Sequence, residues 1–277
     1  MKFSVLMSLY YKENPNYLKE SLDSVLNNTL LPDEIVIVKD GKLTEELDEV
    51  LNNYVEKFPI IKICGYDENK GLGEALRFGV EHCSYDIIAR MDTDDVCNHF
   101  RFEKQINYLE EHSDCDIVGS NVLEFVDNTN NGIGQRNMPE SHKEIIKYSK
   151  KRNPLVHPTM VMKKDLILKA GNYRHYHLVE DYDLLIRMIM EGANCYNIQE
   201  NLVYVRVGED FYNRRGGWKY CKSIAKFEKE IFKKKYISFF RYITNVCVRS
   251  AVYLAPGWLR GWIYKKKLRK YVKNKGN

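Results

Sequence analysis

Three carboxylates lie within four residues of this sequence, in the segment 92–95, which reads Asp-Thr-Asp-Asp. The segment directly follows an apolar run, Asp86–Met91, that predicts a buried β-strand. Like charges this close repel one another, so the cluster is most stable with a cation between its carboxylates and the phosphates of a ligand. Mg²⁺ and Mn²⁺ prefer such oxygen ligands. The alternative is an acidic loop that caps the helix after it, and the sequence leaves both open.

Two further polar segments follow predicted strands or precede predicted helices. Asp40 lies just after the predicted strand Glu34–Val38 and is followed by Gly41. Its carboxylate could accept hydrogen bonds from a nucleobase or ribose, or the pair could form an ordinary turn. Lys70 and Gly71 stand just before a helix, where backbone amides and a lysine can meet a phosphate. Neither a Walker motif nor a three-glycine dinucleotide fingerprint is present there.

Acidic and basic side chains in the second half of the chain complete the candidate set. Glu180 and Asp181 open a predicted helix, where a carboxylate either complements the helix dipole or serves as a general base. His157 either faces a ligand or belongs to a structural loop. Arg214 and Arg215 precede two glycines and either neutralise leaving phosphates or form a solvated hinge.

Alternating apolar runs and helical patterns predict the elements that position these residues. Such alternation with short connections indicates an α/β fold, with a mostly parallel central sheet covered by helices on both faces. The predicted elements of the first half are Phe3–Leu9, Tyr17–Leu26, Glu34–Val38, Ile60–Cys64, Glu74–Cys83 and Asp86–Met91. Further on, Asp116–Phe125, Pro158–Met162 and Leu202–Val207 are predicted strands, and Phe100–His112, Lys164–Ala170 and Asp181–Glu191 predicted helices.

The charge of the 277-residue chain is unevenly distributed, although its net value is only +5. From Asn213 onward there are 19 Lys and Arg against two acids, while the preceding body carries a net charge of −12. The residues after 215 therefore predict a basic, aromatic and amphipathic helical tail. An anionic membrane surface is its expected partner. Nucleic acid is not expected, because no nucleic-acid module accompanies the tail. The remaining alternative is a tail that packs on the protein itself.

The cysteines and the apolar runs limit the compartment. Seven widely spaced cysteines without a Cys-x-x-Cys pair predict free thiols in a reducing environment, not a zinc ribbon or a disulfide framework. The N-terminal apolar run is too short for a secretory signal, and no uncharged run is long enough to span a bilayer. We therefore expect a soluble or peripheral protein.

The order of these segments resembles the family 2 glycosyltransferases, which are inverting enzymes of the GT-A (Rossmann-like) fold that use nucleotide-sugar donors. The similarity extends over about residues 2–215, through SVLMSLYYKENPNYLKESLDSVL, DEIVIVKDG, NKGLGEALRFG, IIARMDTDD and HLVEDYDLLIRMI. Within the family, the segments NPLVHPT and VRVGEDFYNRRGG are most similar to bacterial capsule and exopolysaccharide transferases of the amylovoran type. Asp-x-Asp alone discriminates poorly, but all five segments in order are specific.

The resemblance implies a role for each candidate residue. Asp94, with Asp92, would bind Mn²⁺ or Mg²⁺ between the diphosphate oxygens, and Asp92 would also approach the ribose. Asp181 would be the catalytic base, with Glu180 beside it. The remaining nucleotide-sugar contacts would come from Ser8, Tyr10, Glu13, Asp40, Lys70, Gly71, His157, Arg214 and Arg215. Two departures from the family matter. Lys39 stands where many members have a second aspartate, and the Gln-x-x-Arg-Trp element of processive synthases is missing.

Together these features predict a metal-dependent, non-processive transferase with a catalytic domain in residues 1–215 and a membrane-associated tail in residues 216–277. The expected donor is a UDP-sugar and the expected acceptor a lipid-linked saccharide of bacterial surface polysaccharide synthesis. The expected location is the cytoplasm, peripheral on the inner face of the cell membrane. Two alternatives stay open: a sugar nucleotidyltransferase, and a non-catalytic module that binds nucleotide sugars or membranes.

Overall fold

A single mixed β-sheet organises the protein in the computed structural model, which describes residues 1–208, 216–257 and 259–260. Within these residues the strands lie in the order β3-β2-β1-β4-β8-β6-β9-β5, and β7 pairs with β6. The strands are β1 (Phe3–Leu9), β2 (Glu34–Asp40), β3 (Ile61–Tyr66), β4 (Ile87–Arg90), β5 (Val96–Cys97), β6 (Ile117–Phe125), β7 (Gly134–Arg136), β8 (Val161–Lys163) and β9 (Cys195–Arg206).

Helices cover both faces of this sheet. In the described residues they are α1 (Pro15–Leu26), α2 (Glu45–Lys57), α3 (Leu72–His82), α4 (Arg101–Glu111), α5 (His142–Ser149), α6 (Lys164–Lys169), α7 (Glu180–Met190), α8 (Trp218–Lys233) and α9 (Phe239–Leu254). Side chains of α1, α2 and α4 form one buried apolar cluster against the sheet. Side chains of α3, α5, α6 and α7 form a second cluster. The strands β1 and β2 are buried on both faces, which explains their nearly continuous apolar sequence.

The sheet has a parallel half and a mixed half, and the candidate site lies near their junction. β3, β2, β1 and β4 run parallel, so the carboxyl ends of β1, β2 and β4 meet at one edge. β8 is antiparallel to both β4 and β6. β6 and β9 form a long parallel pair that ends with Phe125 beside Arg206. The short strand β5, which follows the acidic segment, is antiparallel to β9.

The predicted α/β class and the mostly parallel sheet are confirmed, and several local predictions need correction. Pro158–Met162 is not one strand: a 3₁₀ turn, His157–Thr159, precedes β8. Pro158 has no N–H to donate to a ladder, which favours the turn. The strand predicted at Leu202–Val207 is the second half of the longer β9. Helices α2 and α5 were not predicted, and the loop predicted from Asp127 to Gly134 ends in β7.

The antiparallel pair α8 and α9, called here the C-terminal hairpin, packs on α7 and on the end of α5. Phe227 of α8 is fully buried, and its ring lies 4.6 Å from the ring of Tyr182 in α7. The Tyr236 and Ser149 hydroxyls are 2.5 Å apart. The Asn245 side-chain amide donates to the carbonyl of Lys150. The proposed division at residue 216 stays a prediction, and the hairpin contacts elements on the other side of it.

The membrane-related predictions rest partly on residues that are not described. The basic run after residue 260 lies outside the described residues, as do Arg214 and Arg215. Among the described helices, none is long and apolar enough to cross a bilayer.

Candidate active site

The acidic segment forms a turn at the carboxyl end of β4 and brings three carboxylates together. One oxygen from each of Asp92, Asp94 and Asp95 lies within 4.8 Å of the others. Asp92 and Asp94 are half-buried, whereas Asp95 is buried. The two aspartates predicted as metal ligands are thus neighbours in space, and Asp95 adds a third carboxylate that the sequence analysis did not assign.

The electrostatics of this turn favour a cation. Burial, together with the charges of Asp94 and Asp92, raises the pKa of Asp95 well above its ordinary value. The backbone N–H of Arg206 donates to the Asp95 carboxylate at 2.8 Å and holds it in place. A divalent ion would relieve the repulsion among the three carboxylates, and an all-oxygen donor set suits Mg²⁺ or Mn²⁺. The residues present therefore fit a hard divalent cation.

Arg90 supplies a fixed positive charge beneath the acidic turn. Its side chain is 1% exposed and forms an ion pair with Asp92. Arg101 donates from Nη2 to the Arg90 carbonyl oxygen at 2.7 Å, which ties α4 to the end of β4. Arg90 was not among the residues predicted for the site. A signal was present, because a charged residue ends an otherwise apolar strand immediately before the aspartates.

The loop after β1 contacts the acidic turn directly. The Thr93 hydroxyl donates to the Glu13 carboxylate at 2.9 Å and lies 3.4 Å from the carbonyl oxygen of Ser8. The Tyr10 carbonyl oxygen accepts the backbone N–H of Glu13 at 3.1 Å. Ser8, Tyr10 and Glu13 thus lie together beside the turn. Their predicted contacts with a nucleotide stay a prediction.

Asp40 lies at the end of β2, and its carboxylate shapes the loop before α3. It accepts the backbone N–H groups of Lys70 at 2.7 Å and Gly71 at 3.0 Å, and the side-chain amide of Asn69 at 3.0 Å. Gly71 has a φ of +88°, a conformation that favours glycine. The Lys70 ammonium lies 4.6 Å from the centroid of the Tyr66 ring. Asp40 therefore organises the loop, and its predicted contact with a nucleobase or ribose stays a prediction.

The start of α7 presents the second pair of carboxylates. The half-buried Asp181 accepts the Asn153 side-chain amide at 2.7 Å and the backbone N–H of Tyr182 at 2.7 Å. Burial, reinforced by the charge of Asp181, raises the pKa of Glu180 to about 8. Glu180 is therefore mostly protonated at neutral pH, which leaves Asp181 as the better proton acceptor. Asn153 was missed as a site residue, although it stands in the NPLVHPT segment.

His157 is buried, with the charge of Arg90 nearby. Its Nε2 lies 2.9 Å from the hydroxyl oxygen of Tyr173. Burial, with the nearby charge of Arg90, lowers the pKa of His157 well below its ordinary value, so the ring is neutral. Burial also raises the pKa of Tyr173, and the charges of Asp181 and Asp92 act in the same direction. The structure thus places His157 against Tyr173 and near Arg90, and its contact with a donor stays a prediction.

A close contact joins the start of α3 to the loop before α7. An added Cβ at Gly73 would lie 2.6 Å from the carbonyl oxygen of Arg174 and 3.5 Å from Cβ of Glu180. Only glycine therefore fits without displacing backbone. Arg174 also donates to Asp183 at 2.9 Å from Nε and pairs with Glu230 of α8 at 3.0 Å. Direct contacts thus connect the start of α3, the first turn of α7 and the hairpin.

Comparisons with known proteins agree with this architecture. The family described as "Glycosyl transferase family 2" matches residues 4–169. The chain is 39% identical to UDP-Gal:alpha-D-GlcNAc-diphosphoundecaprenol beta-1,3-galactosyltransferase of Escherichia coli, covering 98% of each chain. It is 37% identical to the amylovoran biosynthesis glycosyltransferase AmsE of Erwinia amylovora, covering 95% of this chain and 98% of that protein.

Solved structures show the same fold at low sequence identity. S. aureus TarS 1–349 in complex with UDP-GlcNAc matches with a TM-score of 0.70 and 17% identity, over 97% of this chain and 77% of that one. The mannosyltransferase PcManGT from Pyrobaculum calidifontis, in complex with GDP-Man and Mn²⁺, matches with a TM-score of 0.65 and 13% identity, over 94% and 72%. The predicted GT-A fold is confirmed, and so is the predicted similarity to bacterial exopolysaccharide transferases. The protein is a glycosyltransferase, and its chain belongs to glycosyltransferase family 2.

Proposed function

We propose that this protein transfers one sugar, with inversion, from a UDP-sugar to a lipid-linked saccharide during assembly of a bacterial surface polysaccharide. The proposal rests on the presence of two acidic sites in one protein. One is the cluster of three carboxylates after β4, and the other is Asp181 at the start of α7. The E. coli relative, whose printed name gives a UDP-Gal donor and a diphosphoundecaprenol-linked acceptor, matches over 98% of both chains.

The acidic turn is the proposed site for the donor diphosphate. Asp92 and Asp94, with Asp95 beside them, would hold Mg²⁺ or Mn²⁺. When bound, this ion neutralises the charge that develops on the departing diphosphate. Around it, the proposed nucleotide-sugar contacts are Ser8, Tyr10, Glu13, Asp40, Lys70, Gly71 and His157, with Arg214 and Arg215 from outside the described residues.

Asp181 is the proposed base for the acceptor. The acceptor hydroxyl gives its proton to the Asp181 carboxylate while its oxygen forms a bond to the anomeric carbon. The bond from that carbon to the diphosphate breaks at the same step, so the configuration inverts. The diphosphate leaves without protonation, so no carboxylic acid is needed opposite the base, as it is in glycosidases. Asn153 orients Asp181 through its amide, and protonated Glu180 leaves the proton-accepting role to Asp181.

The proposed location is the cytoplasmic face of the cell membrane, as a peripheral protein. A lipid-linked acceptor requires the enzyme to work at a membrane surface. The seven cysteines are free thiols in the structure, which agrees with a reducing compartment. Transfer of a single sugar is supported by the missing Gln-x-x-Arg-Trp element.

The test compares Asp181→Asn with the parent protein on a panel of radiolabelled UDP-sugars and a polyprenyl-diphosphate-linked saccharide, with and without EDTA. The asparagine keeps the shape but cannot take a proton, so donor binding by calorimetry should persist while transfer is lost. Asp165→Asn is the matched control, because Asp165 also accepts the next backbone N–H at 2.7 Å but is exposed on α6. Normal transfer by Asp181→Asn, or loss of donor binding, would refute the assigned role.

A further inference from the structure

Helix α9 leaves most of an apolar face exposed to solvent. Phe240 is 83% exposed and Val248 is 58% exposed. The exposed positions recur every three or four residues and so fall on one side of the helix. This apolar stripe consists of Phe239, Phe240, Ile243, Thr244, Cys247, Val248, Ala251 and Leu254. Asn245 and Tyr253 on the opposite side are buried against the hairpin and the body.

Charge is excluded from the stripe. The two basic residues of α9, Arg241 and Arg249, are both half-buried and are not part of it. Arg249 faces inward, pairs with Glu228 of α8 at 3.5 Å and donates to the carbonyl of Lys151. From Phe240 to Leu254 the stripe is about 21 Å long, at about 1.5 Å per residue. Soluble proteins rarely leave a continuous apolar surface of this kind without a partner.

The lysines at the end of α8 and in the turn after it lie close to the start of this apolar surface. Helix α8 exposes a row of lysines at helical spacing, namely Lys219, Lys222, Lys226, Lys229 and Lys233. Lys234 and Lys235 follow in the turn that joins the two helices. The ring of Phe232 lies 5.9 Å from the ring of Phe239, so the lysines of this turn are close to the start of the stripe. The tip of the hairpin therefore combines exposed aromatic rings with several positive charges.

We propose that the C-terminal hairpin binds an anionic bilayer, with the apolar stripe of α9 at the boundary between headgroups and acyl chains and the lysines near the lipid phosphates. Exposed phenylalanines flanked by lysines have the composition of helices that lie in a membrane interface. A second copy of the chain is a poorer partner, because a symmetric contact would bring two sets of lysines together. This inference rests on the proposed function and deepens it by naming the membrane-binding surface.

The position of the hairpin connects membrane binding to the active site. Phe227 of α8 packs on Tyr182, the residue that follows the proposed base in α7. Binding through the hairpin thus fixes the orientation of α7, and with it Asp181, relative to the lipid surface. The hairpin lies within residues 216–277, the tail that the sequence predicts to associate with a membrane.

The first experiment uses the full-length protein and vesicle flotation without donor or acceptor. Vesicles of phosphatidylcholine and phosphatidylglycerol at 1:1 are compared with pure phosphatidylcholine, at low and high salt. The variant Phe240→Ser with Val248→Ser should partition about tenfold less onto the anionic vesicles, because two large apolar groups are lost from the interface. The control is Leu31→Ser with Leu168→Ser, which changes two exposed apolar residues outside the hairpin and should float as the parent does. Lys233→Gln with Lys234→Gln should weaken binding and reduce its salt dependence.

The second experiment labels the stripe itself. Cys247 is exposed, Cys64 is half-buried, and the other cysteines are buried, so a Cys64→Ser background directs an environment-sensitive dye to Cys247. The dye should brighten and shift to the blue on anionic vesicles, and nitroxide-labelled lipids should quench it. Transfer to a short-chain, water-soluble acceptor should be equal in the parent and in Phe240→Ser with Val248→Ser.

Two results would overturn the inference. One is equal flotation of the parent and Phe240→Ser with Val248→Ser. The other is a dimer, measured by light scattering, that is lost in this variant. The fluorescence of the dye at Cys247 would then change with protein concentration and not with vesicles. Both readouts are independent of donor and acceptor, so failure here differs from failure of the proposed transfer. If the proposed transfer were wrong instead, the protein would float normally but transfer no sugar to the soluble acceptor.

Discussion

Removing the side chain of Asn153 tests whether the carboxylate of Asp181 must be held in one orientation. The Asn153 amide donates to one oxygen of Asp181 at 2.7 Å, and the other oxygen accepts the backbone N–H of Tyr182. In Asn153→Ala the first bond is lost and the second remains. The carboxylate is then held less firmly along the line on which it takes the acceptor proton.

The size of the effect follows from the type of bond. A hydrogen bond to a charged group contributes about 1.5–3 kcal/mol. Since about 1.4 kcal/mol corresponds to a tenfold change in rate, kcat should fall about 10- to 150-fold. Donor affinity should stay within about twofold, because Asn153 contacts the proposed base and none of the three clustered aspartates. A positioning residue is thus distinguished by a loss in kcat with unchanged donor binding.

The assay measures initial rates of sugar transfer together with donor binding by calorimetry and thermal unfolding. Asn194→Ala is the matched control, because the Asn194 amide also donates to a carboxylate, that of Asp114 at 3.1 Å, on the exposed surface. The control should retain the parent rate. Unchanged kcat in Asn153→Ala would refute the reasoning, and so would equal losses of donor binding and of rate.

Three further predictions concern the acidic turn, Glu180 and the hairpin. Asp94→Ala should lower turnover by about a hundredfold or more and weaken Mn²⁺ binding in calorimetry, because a group that stabilises developing charge is lost; full activity of the EDTA-treated parent would contradict this. Because burial raises the pKa of Glu180 from 4.5 to about 8, the native state keeps a proton that the unfolded chain releases, and stability falls as pH rises through this range. In EDTA, the melting temperature of Glu180→Gln should therefore exceed that of the parent by an amount that grows from pH 5 to about pH 8, and a constant difference would contradict the assignment. Phe227→Ala should lower the free energy of unfolding by about 3–5 kcal/mol in urea, whereas the exposed Phe240→Ala should change it by less than about 0.5 kcal/mol; equal effects would show that the hairpin does not pack on α7.

The first half of the fold was predictable because its strands are short apolar runs separated by amphipathic helices. β1, β2 and β4 have this pattern, and parallel strands with short connections leave little choice of architecture. Helix α2 was missed because only Leu47, Val50 and Leu51 of its thirteen residues are buried, which leaves a weak apolar pattern. The 3₁₀ turn before β8 was missed because a short apolar run does not distinguish a strand from a turn.

The candidate site was predictable where its residues are neighbours in sequence. Asp92 and Asp94 share one turn, and Glu180 and Asp181 share one helix start. Asn153 and Tyr173 could not be assigned to it, because each contacts a residue that is distant in the sequence. Asn153 reaches Asp181 across 28 positions of the chain.

By itself, the sequence determined the family, the α/β class and the residues able to bind a metal or take a proton, because these depend on residue type and local spacing. Only the tertiary structure decided how they work together. It buried Glu180 so that it keeps its proton, turned the Asp40 carboxylate toward the loop before α3, and placed Arg90 beneath the aspartates. It also packed α8 on the body and left one side of α9 exposed. Burial and long-range contacts set these properties, and they exist only when distant segments meet in the fold.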